Sequence, residues 1–248
     1  MKLAKGKVVS VTSVKGGVGK TMFVLSLAAL YKNQNKKVLI VDMDLFSGDI
    51  EALLNVESRK DIYTLFEDIV NNNFYDMENY ITKYDDNIDF IAAPKDPRYA
   101  TKVNSRFLNL LFNRISSKYD VIIVDTNHFL NEINLATFDY SNEILYLINN
   151  NCMNLKNMRT MLSILSDMHM EKYKIVLYCA RDKSKSIFKK FDIKSVIKDD
   201  IDYIVGQEFY MKDLDKCIID GNIIDSINKH LKRTNSRVIE KIAKDLIK

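Results

Sequence analysis

Residues 7–21 read KVVSVTSVKGGVGKT, which sets a short apolar run, a glycine-rich turn and a Lys-Thr pair in direct succession. The apolar run fits a strand buried on both faces, and Thr21–Asn33 repeats apolar residues at helical spacing. In a strand, glycine turn and helix joined this tightly, backbone N–H groups curl toward one point, and the helix adds its positive end. Phosphate suits such a point. The segment Val14-Lys15-Gly16-Gly17-Val18-Gly19-Lys20-Thr21 is therefore expected to cradle a nucleotide, with Lys20 on the β- and γ-phosphates and the Thr21 hydroxyl on Mg²⁺. Met22 extends the binding segment into the helix. Each charge-assisted hydrogen bond of this kind contributes about 1.5–3 kcal/mol, so a few of them set the affinity.

The same alternation continues along the chain. Lys37–Val41, Ile88–Ala92, Tyr119–Val124, Ile144–Ile148 and Lys174–Cys179 are further short apolar runs. Helical spacing returns over Arg106–Lys118 and Leu155–Met168. Strands alternating with helices predict an α/β fold, a doubly wound and mainly parallel sheet flanked by helices. No linker, repeat or low-complexity tract interrupts residues 1–248, so a single domain is expected. Ligands of such sheets bind beyond the carboxyl ends of the strands. The loops there read SVKGGVGKT, DMDLFSGD, APKDP and DTNHF.

Carboxylates end two of the runs. Asp42 and Asp44 follow the second, and strand periodicity predicts that they share one face. Asp125 closes VIIV. A carboxylate at a strand end can hold a water of a Mg²⁺ shell or orient an attacking water. Beside a phosphate loop, Thr21, Asp42 and Asp125 are the expected metal-holding set, the aspartates through water.

Composition excludes several other classes. Seven glycines and two prolines rule out collagen-like and Pro-rich chains. Cys152, Cys179 and Cys217 are scattered, which fits neither a disulfide framework nor a metal cluster. The net charge is +4, with 17 Lys+Arg against 19 Asp+Glu in residues 1–150 and 20 against 14 beyond. That asymmetry permits an acidic partner without requiring one. No apolar stretch suits a signal peptide or a membrane span, so a cytoplasmic protein is expected. The segment 236–248 carries an apolar stripe of Val238, Ile239, Ile242, Ala243, Leu246 and Ile247, flanked by Arg237, Lys241, Lys244 and Lys248. Glu240 and Asp245 interrupt its polar face. It is expected to dock on the domain, with peripheral contact at the inner face of a membrane left open. The lysines of Lys183–Lys198 read as a solvated face, and DNA is not the expected partner. His128 is expected to be a hydrogen-bonded structural residue, with contact to phosphate or action as a base as the alternative.

KGGVGKT resembles the deviant Walker A motif of MinD/ParA-type ATPases. The resemblance implies ATP and Mg²⁺ as ligands and an ATP-dependent homodimer in which Lys15 reaches the partner's phosphates. It assigns catalytic roles to Lys15, Lys20 and Asp44, the last positioning the hydrolytic water, and makes Asp125 the Walker B carboxylate. VDMDLFSGDIEALLNVESRKDIYTLFEDI, IDFIAAPKDPRYA and the stretch from Tyr119 through Asn127 and His128 are similar to the CpaE/TadZ branch. That branch implies service to a Flp/tight-adherence pilus, with pilus-assembly or polar-localisation proteins as partners. Its receiver-like N-terminal domain is not expected here. Two departures bear on chemistry. Asn127 stands where relatives have proline, and Tyr178-Cys179-Ala180-Arg181 replaces an adenine-reading asparagine. They leave open a slow ATPase, a nucleotide-locked scaffold, or a DNA- or membrane-associated positioning ATPase.

Overall fold

The computed structural model describes residues 6–180, 188–234 and 237–248. Arg181, most of the Lys183–Lys189 stretch and Ser236 lie outside the described residues. In chain order the elements are β1 (Lys7–Ser13), α1 (Lys20–Asn33), β2 (Val38–Met43), α2 (Ile50–Leu54), α3 (Ile62–Val70), β3 (Thr82–Lys83) and β4 (Ile88–Ile91). They continue as α4 (Leu108–Ile115), β5 (Val121–Thr126), α5 (Glu132–Tyr140), β6 (Glu143–Ile148), α6 (Cys152–Asp167) and β7 (Tyr173–Tyr178). The last are α7 (Lys190–Ile197), β8 (Tyr203–Val205), α8 (Leu214–Ile219), α9 (Ile223–Thr234) and α10 (Arg237–Leu246). The eight strands form one sheet in the order β3-β4-β2-β5-β1-β6-β7-β8. All neighbours are parallel except the short edge pair β3–β4.

The expected apolar runs became the six long strands with ends shifted by one or two residues. β3 and β8 were too short to leave a pattern. Arg106–Lys118 is not one helix: Ser105–Phe107 is a 3₁₀ turn, and α4 begins only at Leu108. The Asn104 side chain accepts from Arg106 N–H and fixes that tight entry.

Strand periodicity sorts the buried residues between two faces. Val9, Val11, Ile40, Ile123, Leu145 and Leu147 pack toward α1, α9 and α10. Leu39, Val41, Ile122 and Val124 pack toward α3 and α4, and Ile144, Tyr146 and Ile148 toward α6 and α7. Both faces being covered explains why the runs show little alternation. α1 is buried nearly all round, from Phe23 to Tyr31, because a second helical layer lies over it.

The stripe of α10 is part of that layer. Ile239, Ile242, Ala243 and Leu246 are buried in the same core as α1. Tyr31 Oη donates to Ala243 O at 2.9 Å, and Tyr203 Oη donates to Asp245 Oδ2 at 3.0 Å. The docked arrangement is thus the one adopted. Among the described residues no helix is long and apolar enough to cross a membrane. Ile242→Ala is expected to lower the unfolding free energy by about 2–5 kcal/mol in urea denaturation. Exposed Lys244→Ala should change it by less than about 0.5 kcal/mol.

Candidate functional site

β1 lies between β5 and β6, so its C-terminal end opens at the point where the strand order reverses. The glycine turn leaves it there. Gly17 and Gly19 adopt left-handed backbone at φ +76° and +109°, a region that favours glycine. At Gly19 space is short as well: a Cβ would lie 2.7 Å from the Tyr178 ring, which stands edge-on to Phe23. Gly19 caps α1 without any side-chain acceptor, so the first N–H groups of a 14-residue helix are left for a ligand. Val14 and Val18 are buried and anchor the turn, and Ser13 Oγ donates to Lys15 O at 2.7 Å.

This turn floors a cleft of about 380 Å³. Gly16, Gly17, Gly19, Lys20, Thr21 and Met22 form the floor, and Asp44, Ser47 and Asp49 stand on one wall. Asn127, His128 and Phe129 of the neighbouring β5 loop line it as well, and Leu53 and Leu214 complete the lining. Exposed Phe46 and Phe129 form its rim. Lys20 is only 8% exposed, so its ammonium acts in a partly desolvated space. Lys15 is exposed and outside the lining. A small apolar cavity of about 30 Å³ adjoins the cleft through Met22 and Leu214 and is walled by Tyr178 and Phe209.

β2 ends at Met43, so Asp42 lies in the strand and Asp44 in the turn that follows, where Asp44 lines the cleft. Asp42 is buried, and its Oδ1 accepts from Asp44 N–H at 3.1 Å and its Oδ2 from Ile50 N–H at 3.2 Å. It organises the loop that carries Asp44 into the cleft. Gly48 is required there, since a Cβ would lie 2.2 Å from Ala93 Cβ and 2.7 Å from Asp42 Oδ2. The APKDP loop therefore buttresses the Asp42 turn and contributes nothing to the cleft lining. Its strand, β4, lies three places from β1.

Asp125 pairs in register with Asp42 on the neighbouring strand. Burial pushes Asp125 up to about 7, opposed by the Thr21 hydroxyl bonded to it and by Lys20. Burial and the Asp125 charge raise Asp42, and its two backbone N–H donors hold it down. Burial also raises Asp44, against Lys20 and His128. Asp125 Oδ1 is buried without a hydrogen-bond partner among the described residues. A buried carboxylate oxygen lacking a donor, beside a hydroxyl at the mouth of a phosphate loop, fits a hydrated Mg²⁺. Thr21 and Asp125 are the pair that would hold it.

Asn127 builds its part of the lining. Its Oδ1 accepts from Phe129 N–H at 2.9 Å and from Asn134 Nδ2 at 2.8 Å. Asn134, fully buried on α5, also donates to Phe129 O at 2.7 Å and to Asn127 O at 3.3 Å. The side-chain amide supplies by hydrogen bonding the turn that a proline would supply by its ring. Leu53 and Leu214 carried no signal in the sequence, being apolar residues of short helices. Phe46 and Phe129 sat inside loops already singled out, and their exposure beside polar neighbours was the missing cue.

A strand–phosphate loop–helix unit at the centre of a parallel sheet, with Lys20, Thr21 and Asp125 converging on it, defines a P-loop nucleotide-binding protein. Comparison with known proteins narrows this. The family described as an AAA domain matches residues 6–178. The septum site-determining protein MinD of Synechocystis is 29% identical over 119 residues, covering 48% of this chain and 44% of that protein. MinD of Helicobacter pylori is 32% identical over 122 residues, covering 48% and 44%. The chain thus spans less than half the length of these curated relatives. Among solved structures, a ParA family ATPase from Chlorobium tepidum superposes with a TM-score of 0.81 at 19% identity, covering 96% of this chain and 98% of that one. MinD of Pyrococcus horikoshii, complexed with Mg-ADP, gives 0.76 at 17% identity, covering 97% and 96%. The chain belongs to the AAA domain family, and its fold is the one these ParA and MinD structures share.

Asn134→Ala is expected to cost about 1–3 kcal/mol of stability, because it strips donors from buried acceptors. His128→Ala breaks none of these bonds and should stay within about 0.5 kcal/mol in the same urea titration.

Proposed function

We propose that the protein binds ATP with Mg²⁺ in this cleft, closes into a homodimer, and hydrolyses the nucleotide slowly. One observation carries the reading: the uncapped start of α1, Lys20 and Thr21 meet on the cleft floor, with buried Asp125 bonded to Thr21 behind it. Backbone N–H groups of the turn bind the phosphates, and Lys20 neutralises their charge. Mg²⁺, when bound, supplies Lewis-acid stabilisation of the phosphate oxygens. Asp44, held at the wall by the Asp42-organised turn, orients the attacking water. Asp42 acts through that turn. The exposed position of Lys15 suits contact with a second copy, and the Phe46–Phe129 rim offers apolar surface for it.

At the level of biology, the CpaE/TadZ-like stretches between the motifs support a role in localising or regulating a Flp/tight-adherence-type pilus machine. A second reading, a nucleotide-locked scaffold with little turnover, is favoured by the three bonds through which Asn134 ties down the wall beside the phosphates. Phosphate release separates the two. Turnover above background that disappears in Asp44→Ala supports the ATPase, and none in the wild type supports the scaffold.

Lys20→Ala is expected to weaken ATP binding at least about tenfold in isothermal titration calorimetry, the loss of one charge-assisted bond. Wild-type affinity in that variant would remove nucleotide from this cleft. In analytical ultracentrifugation the wild type is expected to sediment as a dimer only with ATP and Mg²⁺. Lys15→Ala should remain monomeric.

A further inference from the structure

His128 was expected to be a hydrogen-bonded structural residue, and its surroundings give it no such task. Its ring lies over the phosphate loop, with Cε1 3.6 Å and Nδ1 3.7 Å from the position of a Cβ on Gly16. The opposite side leans on Phe129, ring centroids 4.2 Å apart. Among the described residues neither ring nitrogen has a hydrogen-bond partner. The backbone around it is held on both sides, since Asn134 bonds to Asn127 and to Phe129. A half-buried imidazole is thus fixed at the wall of a cleft while its polar atoms are left unused.

The charges around the ring fix what it can meet. Lys20 and Asp44 line the same cleft and are the charges that act on the ring. Burial, followed by Lys20, lowers the His128 pKa, and Asp44 opposes them. A neutral imidazole keeps one N–H donor. The part of the loop beside the ring is Gly16. Lys20, the residue that reaches the β- and γ-phosphates of a P-loop ligand, is close enough to act on the ring's charge, so the ring stands on the terminal-phosphate side of that lysine.

Resting on the ATP reading above, we propose that the His128 side chain donates a hydrogen bond to the terminal phosphate of a bound nucleoside triphosphate and so distinguishes triphosphate from diphosphate. Phe129 holds the ring in place, and the Asn127–Asn134 clamp holds the backbone. A diphosphate, one phosphate shorter, falls outside its reach. The role is one of ligand discrimination and is separate from orienting the attacking water.

The test uses the full chain with Mg²⁺ and two probes, ATPγS and ADP, titrated calorimetrically against wild type, H128A and H128Q. H128A is expected to weaken ATPγS about tenfold or more, the loss of one hydrogen bond to a charged group. ADP affinity should change less than twofold. H128Q, which retains an N–H donor, should recover part of the ATPγS affinity. Equal losses for both nucleotides, or no loss for either, would overturn the proposal. K20A separates the underlying reading: undiminished binding of both nucleotides there removes the site itself, whereas a K20A loss with an indifferent H128A overturns only the role of His128.

Discussion

Hydrogen bonding of β1 on both sides is the constraint from which the rest follows. The strand is paired to β5 along Lys7–Val11 and to β6 along Val9–Ser13. Its side chains are buried above and below. A strand held in this way has no freedom in register, so the turn that follows leaves the sheet at a fixed point and in a fixed direction. The positions of Lys20 and Thr21 are then set by the sheet, not by the flexible glycines between. β2 and β5 are paired to each other in register at Asp42 and Asp125, which places two carboxylates side by side behind the turn.

Burying those carboxylates together is unfavourable unless something answers their charge. The two are answered differently. Asp42 receives two backbone N–H groups and becomes the organiser of a loop. Asp125 keeps an oxygen without a donor among the described residues and has Thr21 and Lys20 beside it. One residue type at two equivalent strand ends thus takes a structural part in one place and a ligand-facing part in the other. The difference lies in Gly48, which lets residues 48–50 approach Asp42 closely enough to bond it.

Much of this was legible in the sequence. Continuous apolar runs identified the long strands because both sheet faces are covered, and the glycine turn identified the cleft floor because its spacing has few other uses. The stripe on α10 was legible as a docking face, though its partner, α1, was not. Other features depend on packing between distant segments. That Asp44 lines the cleft and Asp42 does not follows from where β2 ends, which the pattern VDMDL does not mark. Asn127 read as a lost proline, and only its bonds with Asn134 reveal a replacement turn. The close approach of the Tyr178 ring to Gly19 joins residues 159 positions apart in the chain, beyond any local pattern.

The layer formed by α9 and α10 has a temporal consequence. α1 is synthesised before the other described helices, yet the surface that covers its back belongs to α9 and α10, the last of them. Until Ile223–Leu246 have emerged, Phe23 to Tyr31 present an apolar helix with one side unprotected. The sheet around β1 likewise waits for β5 and β6. Nascent chains would therefore carry a complete phosphate-binding motif long before they carry a stable phosphate-binding site, and contacts of such long sequence separation form slowly. Folding of the nucleotide site thus waits for α9 and α10, although its motif precedes them by most of the described residues.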